Sequence, residues 1–403
     1  MYPRLYKFTL MFCLFLFQTE RSIAQNDNRL LDLRKKIELA AIEEIKRTNT
    51  PSLQISIGTD NQIIYQDAFG LSDIENQVVA TPKTKYRTAS IAKWFTAAAA
   101  MQLVEQKKLD LDKAVQEYCP QYPLKKWTIT TRDLLTHTSG IRHYIDYKKL
   151  IASAKSQEER IYLNKKHIVA QLNSYKRFNE VISPLEDFKN DALLFRPASN
   201  WKYTSFGYRL LACVIQGAAD SNYRKLMAEL IFTPLNMNNT IEDDAWKITP
   251  NRASGYRLQD GNLRRADMRD VSNNLPAGGY LSTSTDLVKF AMGFNNGLLS
   301  KKSILQMSTP VMVEEVDVHQ PLSWRDAIPS KDKYGYGLML FSKYEKGMIG
   351  HTGRQAGGSA ILVLSLDKNI SIAIMTNSKG WNGYLNFAMK INSIVKQHLL
   401  DAA

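Results

Sequence analysis

The sequence predicts an α+β fold in which an antiparallel sheet flanked by helices receives an inserted, mainly helical region. Three stretches carry that reading. Residues 29–48 (RLLDLRKKIELAAIEEIKRT) repeat apolar side chains about every 3.6 positions, the period of an amphipathic helix. Directly after it, Leu53, Ile55 and Ile57 alternate with polar neighbours, Thr59-Asp60-Asn61 reads as a turn, and Ile63 to Tyr65 begin a returning strand. Towards the other end, Tyr336–Ser342, Gly347–His351, Ser359–Leu366 and Ile370–Thr376 are strand-like, and residues 383–399 form an amphipathic helix. The turn Asp367-Lys368-Asn369 is short, and short connections join antiparallel neighbours. Helix–hairpin and meander–helix then make one sheet domain, residues 25–85 and 275–403, with 86–274 inserted.

The middle is read helix by helix. Residues 91–108 are Ala-rich, 132–137 form a short helix, and 205–219 an apolar one. Leu134 to Gly140 (LLTHTSG) reads as a helix end with Gly140 as its stop. The Gly278-Gly279 pair suggests a tight backbone near a cavity, and Ser282 or Ser284 a helix cap before Asp286. Residues 142–190 are polar and basic, with nine Lys or Arg between Arg142 and Arg177 against three acids. This is the pattern of a solvated helical insertion, or of a docking surface. A chain of 403 residues exceeds one ordinary core, and a composite fold accommodates it. With 44% hydrophobic and 23% charged residues, disorder and low-complexity arrays are excluded.

The N-terminus reads as a leader. Arg4 and Lys7 precede the apolar run Phe8 to Phe17, and Ser22-Ile23-Ala24 supplies a small-x-small cleavage site. The run is well short of the roughly 20 residues a membrane span needs. Cleavage near Ala24 places the chain in the periplasm or outside the cell. It removes Arg4, Lys7 and Arg21 against Glu20, so the formal charge of +14 falls to +12. Charge alone raises nucleic acid as a partner, but no recognition motif accompanies it, so none is expected. An acidic envelope surface suits the basic insertion better. Three cysteines are too few for a disulfide scaffold. Cys119 and Cys213 remain after cleavage and can pair. The apolar helical setting of Cys213 favours packing as a small hydrophobe. The histidines lack ligand spacing, so neither a metal nor another cofactor is expected.

Three short motifs can carry chemistry. Ser90-Ile91-Ala92-Lys93 opens the Ala-rich helix, and i,i+3 spacing puts both side chains on one face. A serine hydroxyl needs a base to become a nucleophile, and an enclosed lysine can serve. The Ser90 N–H, at a helix start, is free to hold an oxyanion. Spacing alone says little, since the same pattern begins at Ser199, Ser330, Ser365 and Ser393. The extended lead-in and long small-residue helix single out Ser90. Tyr203-Thr204-Ser205 precedes another apolar helix, where a tyrosine can carry a proton and a serine can hold it in place. His351-Thr352-Gly353 ends a predicted strand. There Gly353 admits a substrate backbone, Thr352 offers a hydroxyl, and His351 can tune the charge with pH.

In that order, Ser-x-x-Lys, Tyr-x-Ser and His-Thr-Gly, the chain resembles the penicillin-recognising serine hydrolases: serine β-lactamases, D,D-peptidases and related esterases. The resemblance covers about residues 50–400 and is nearest to the class C-like branch, whose second motif begins with Tyr. LLTHTSGIRHY (134–144), FKNDALLFRPASNWKYTSFGYRLLACVI (188–215) and GHTGRQAGGSAILVL (350–364) are most similar to its mitochondrial serine β-lactamase-like members. It implies a β-lactamase/transpeptidase-like fold and an acyl-enzyme on Ser90, with Lys93 and Tyr203 sharing the proton work. Ser205 stands where many relatives have Asn, and His351 where many have Lys. The N–H of Arg354 would pair with that of Ser90 as oxyanion hole, while its side chain binds a substrate carboxylate or points to solvent. The implied substrate is a small peptide, a D-amino-acid peptide or an ester, with weak β-lactamase activity possible. The alternative it implies is a non-catalytic, filament-forming homo-oligomer.

Overall fold

The computed structural model describes residues 29–313 and 334–400. The expected leader lies outside the described residues. The strands, in chain order, are β1 (Ser52–Thr59), β2 (Gln62–Asp73), β3 (Val78–Val79), β4 (Tyr86–Arg87), β5 (Ile241–Glu242), β6 (Tyr256–Gln259) and β7 (Asn262–Arg265). They continue with β8 (Tyr280–Ser282), β9 (Met339–Leu340), β10 (Met348–Gln355), β11 (Gly358–Ser365), β12 (Ile370–Thr376) and β13 (Ser378–Lys379). Seven of them form one antiparallel sheet in the order β3-β2-β1-β12-β11-β10-β9. β1 pairs with β12 from Gln54↔Met375 to Thr59↔Ile370, so early and late parts of the sequence meet at the centre of the sheet. The β1–β2 turn has Asp60 and Asn61 at positive φ, 47° and 66°, the geometry that matches strand twist and suits Asp and Asn. Two smaller sheets run β4-β8-β5 and β13-β6-β7.

One face of the large sheet is apolar. Leu53, Ile55, Ile57, Ile361, Ile372 and Ile374 pack against two helices, α1 (29–48) through Leu33 and Ile37, and the last helix, Tyr384–Leu400, through Phe387 and Ile391. The alternation read at β1 is present, but its polar face is buried too. Ser56 Oγ lies 2.8 Å from Ser284 Oγ, and Gln54 Oε1 accepts from the Ser284 N–H at 2.6 Å. The polar residues of β1 are therefore partners of a helix that covers this face, Ser284–Gly293. Thr283 caps that helix by accepting from the Asp286 N–H, rather than either flanking serine.

Between these parts the chain is helical: α2 (Ala92–Glu105), α3 (Thr131–Thr136), α4 (Tyr147–Ala152), α5 (Gln157–Asn173) and α6 (Ser205–Ala219). α4 and α5 bury no side chain, in keeping with a solvated insertion. Three readings need correction. The strand read over Tyr336–Ser342 shrinks to β9, whereas β10 runs on through His351 to Gln355. α3 stops at His137, which adopts the left-handed conformation (φ 64°) three residues before Gly140. A C-cap needs that conformation, and here a histidine accepts it. Cys213 does not pack as a free hydrophobe: it is bonded to Cys119, tying α6 to the segment after α2. Among the described residues no helix is long and apolar enough to cross a membrane.

Candidate active site

Ser90 sits on a strained turn. Ala89 has φ 45°, in the left-handed region that costs a non-glycine residue about 1 kcal/mol or more. Residues Ala89–Ile91 form a 3-10 turn that runs into α2. α2 is buried over nearly its whole length, because Ala97 to Ala100 let neighbouring helices close around it. Lys93, one turn beyond Ser90, is completely buried.

The lysine amine is the hub of the site. Nζ lies 3.3 Å from Ser90 Oγ and 3.1 Å from Ser205 Oγ, and donates to Ala277 O at 2.8 Å. It stands 4.8 Å over the Tyr203 ring and 5.6 Å over that of Tyr208. Burial, with a smaller contribution from the charge of Arg209, holds its pKa well below the ordinary lysine value. A neutral amine has two N–H donors and one lone pair. Ala277 O takes one donor, which leaves one donor and the lone pair for two serine hydroxyls. That arrangement can remove a proton from Ser90.

Tyr203 enters from an extended segment capped by Thr204, whose Oγ1 accepts from the Phe206 and Gly207 N–H groups at the start of α6. Burial raises the Tyr203 pKa, with the nearby Ser90 hydroxyl pulling weakly the other way, so the phenol keeps its proton. Its hydroxyl has no hydrogen-bond partner among the described residues. A protonated phenol beside Ser90 can donate but is a poor base.

β10 forms the opposite wall. A Cβ on Gly353 would fall 2.2 Å from Thr88 O and 3.1 Å from Ser90 N. The glycine is thus demanded by the turn that carries Ser90, and not only by a substrate. His351 departs further from expectation. It is fully buried, Nδ1 lies 2.6 Å from Thr352 O, and Nε2 lies 3.1 Å from the Tyr334 hydroxyl. Burial, and then the neighbouring Lys93, push its pKa down to about 3. It stays neutral and does not tune the site around neutral pH. Thr352 is half-buried, its hydroxyl 3.7 Å from Met339 Sδ. Arg354 is exposed, with its guanidinium 5.6 Å over the ring of Tyr384 in the last helix.

The structure therefore brings Ser90, Lys93, Tyr203 and Ser205 together, with Gly353 against them. Sequence reasoning missed Ala277 O, Tyr334, His137 and His143. The Gly278-Gly279 signal pointed to the first: a Cβ on Gly278 would lie 2.9 Å from Asn274 Nδ2 and 3.3 Å from Ala89 C, so this backbone does press on the turn that carries Ser90. His137 lies in the LLTHTSG stretch that was read as a helix end, and His143 follows three residues after its Gly140. No group of three His, Cys, Asp or Glu side chains could hold a metal ion among the described residues.

Comparison with known proteins gives a consistent picture. The family model described as beta-lactamase matches residues 37–389. The mitochondrial serine beta-lactamase-like protein LACTB of Homo sapiens is 29% identical over 381 residues, covering 78% of this chain and 68% of its own. The octameric penicillin-binding protein homologue from Pyrococcus abyssi superposes with a TM-score of 0.69 at 25% identity, covering 91% of this chain and 77% of its own. The D-amino acid amidase of Ochrobactrum anthropi SV3 shares the fold, with a TM-score of 0.68 at 21% identity over 91% of this chain and 97% of its own.

Proposed function

The chain belongs to the beta-lactamase family, a serine hydrolase superfamily, and on that premise we propose that it cleaves small acyl substrates through an acyl-enzyme on Ser90. The observation that carries the reading is a buried lysine of depressed pKa between two serine hydroxyls. In the proposed cycle, Ser90 Oγ attacks the substrate carbonyl carbon and its proton passes to neutral Lys93 Nζ. The N–H groups of Ser90 and Arg354 hold the resulting oxyanion. As the carbonyl re-forms, the bond to the leaving group breaks. The leaving group takes the Tyr203 proton, and the Lys93 ammonium returns one to Tyr203. Water then attacks the acyl carbon by the same route in reverse, releasing the acid and restoring Ser90 O–H. Ser205 serves the proton path through its contact with Lys93.

Substrate choice follows from charge. His351 is neutral, so the position after Gly350 offers no fixed cation for a substrate carboxylate, and the Arg354 guanidinium rests over Tyr384. Esters and small amides without a carboxylate, D-amino-acid amides among them, fit better than β-lactams or peptides that bear one. An exported location belongs to the same proposal, supported by the Cys119–Cys213 disulfide, since such bonds persist in oxidising compartments. Incubation with a fluorophosphonate and a panel of esters, D-amino-acid amides and β-lactams tests it. Labelling and turnover lost in Ser90→Ala support the reading. Absence of labelling by every acylating probe would overturn it in favour of a non-catalytic assembly protein.

A further inference from the structure

We propose that His137 and His143 are paired positioning residues, which hold the Tyr203-Thr204-Ser205 junction by accepting two consecutive backbone N–H groups. The kinetic part of this proposal rests on the hydrolase reading above; the structural part does not. The Thr204 N–H donates to His137 Nδ1 at 3.2 Å, and the Ser205 N–H to His143 Nδ1 at 3.0 Å. Amides at a helix start have no intrahelical acceptor and usually turn to a capping oxygen or to water. Thr204 Oγ1 is already spent on Phe206 and Gly207, so the two preceding amides need other acceptors. Both are met by imidazole nitrogens from the segment after α3. Accepting at Nδ1 requires that atom to carry no proton.

His137 is costly unless it has this task. It occupies a left-handed backbone position, and its buried Nε2 has no partner among the described residues. A buried donor without a partner costs about 1–3 kcal/mol, so an apolar side chain of similar volume would pack more cheaply. Burial, followed by the proximity of the ionisable groups of Lys93, His351 and His143, which disfavours a further proton here, keeps its pKa well below the usual histidine value and Nδ1 open as an acceptor. Its ring lies 4.3 Å from that of Tyr203 and 4.8 Å from that of Tyr334, while its carbonyl accepts the Lys202 N–H at 2.9 Å. The His143 ring stands edge-on to Tyr203 at 5.8 Å. Between the two rings the Tyr203 side chain is placed beneath Lys93 Nζ, and Ser205 Oγ is brought to the same amine. Misplacement of such groups by about 1 Å costs on the order of 100-fold in rate.

Asparagine discriminates between positioning and filling. Its Oδ1 branches from Cγ as Nδ1 does, it accepts a hydrogen bond, and it tolerates the left-handed region. Leucine fills space without accepting. The test compares His137→Asn, His137→Leu, His143→Asn and His143→Leu by steady-state kinetics and by hydrogen exchange of the Thr204 and Ser205 amides. Expected are a fall in kcat of about 30- to 100-fold for the leucine variants with KM within about threefold, and asparagine variants within about fivefold of the original in kcat. Exchange of the amide facing the substituted residue should accelerate with leucine and stay slow with asparagine. Equal impairment by asparagine and leucine, or leucine variants that match the original in both measurements, would overturn the proposal. His143 is not among the residues of positive φ, so its pair decides the matter if His137→Leu does not fold. If the original protein turns over no substrate, the hydrolase reading fails while the exchange comparison still tests the pair.

Discussion

Lys93 Nζ donates to the carbonyl oxygen of Ala277 at 2.8 Å, and no carboxylate among the described residues is ion-paired with that amine. A lysine held down by burial is neutral above its depressed pKa. Activity that needs the neutral amine is expected to fall as pH drops through that value and to persist on the alkaline side. Lys93→Arg keeps a charge at all accessible pH and should lose about 1,000-fold or more in acylation rate. The pH dependence of fluorophosphonate labelling measures both.

The same burial has a sign in stability. Between the depressed folded pKa and the ordinary value near 10.4, the unfolded chain binds a proton that the folded chain does not. Stability therefore rises with pH across that window, and Lys93 costs stability at pH 7. Lys93→Met should raise Tm at pH 7 by roughly 2 °C, and the gain should shrink as pH approaches 10. Thermal unfolding at pH 6, 8 and 10 reads the trend.

Gly353→Ala should damage the site more than the fold. The added Cβ would sit 2.2 Å from Thr88 O, a backbone atom that cannot swing aside as a side chain can. Either β10 or the Ser90 turn must move. Loss of acylation by about 100-fold with the protein still folded is expected, checked by labelling rate and circular dichroism.

Opening the Cys119–Cys213 bond should be felt throughout the helical part. The two cysteines are 94 residues apart in sequence, and a cross-link closing a loop of that size typically contributes about 2–4 kcal/mol. A Cys119→Ala, Cys213→Ala double variant should unfold at correspondingly lower urea, while reductant should shift the midpoint of the original and leave the variant unchanged.

Glu44 joins the first helix to the residues after the large sheet. Its carboxylate accepts from the buried Trp381 indole at 2.7 Å and from Arg47. Glu44→Ala leaves the indole N–H without its acceptor, at a cost of about 1–3 kcal/mol, whereas Glu44→Gln keeps an acceptor and should lose less. Urea titration separates the two.

What the sequence made legible was local. The alternation in β1, the Asp60-Asn61 turn and the short connection between β11 and β12 each declare themselves within ten residues, and the sheet follows. The Ser90–Lys93 spacing is equally local. What escaped depends on partners distant in sequence. The αL stop at His137 was assigned to Gly140 because a glycine is the ordinary residue there. His351 was read as titratable because its burial beneath Tyr334 is set by a segment that no pattern connects to it. Cys213 looked like one more apolar residue of α6 because Cys119 lies in an irregular stretch outside any helix. Ser205 was read as a support for Tyr203, and its hydroxyl's contact with Lys93, on another helix, lies beyond any local pattern.

The strand that backs Ser90 comes from the far end of the sequence, since Gly353 of β10 is what closes on Thr88 and the Ser90 turn. During synthesis Ser90 and Lys93 are therefore made long before the strand that packs against them. A chain interrupted anywhere ahead of β10 holds Ser90 and Lys93 without the strand that closes on their turn. On the acyl-enzyme reading proposed above, this topology would act as an assembly interlock, withholding acylating power from a half-made protein until its last strands have been laid down.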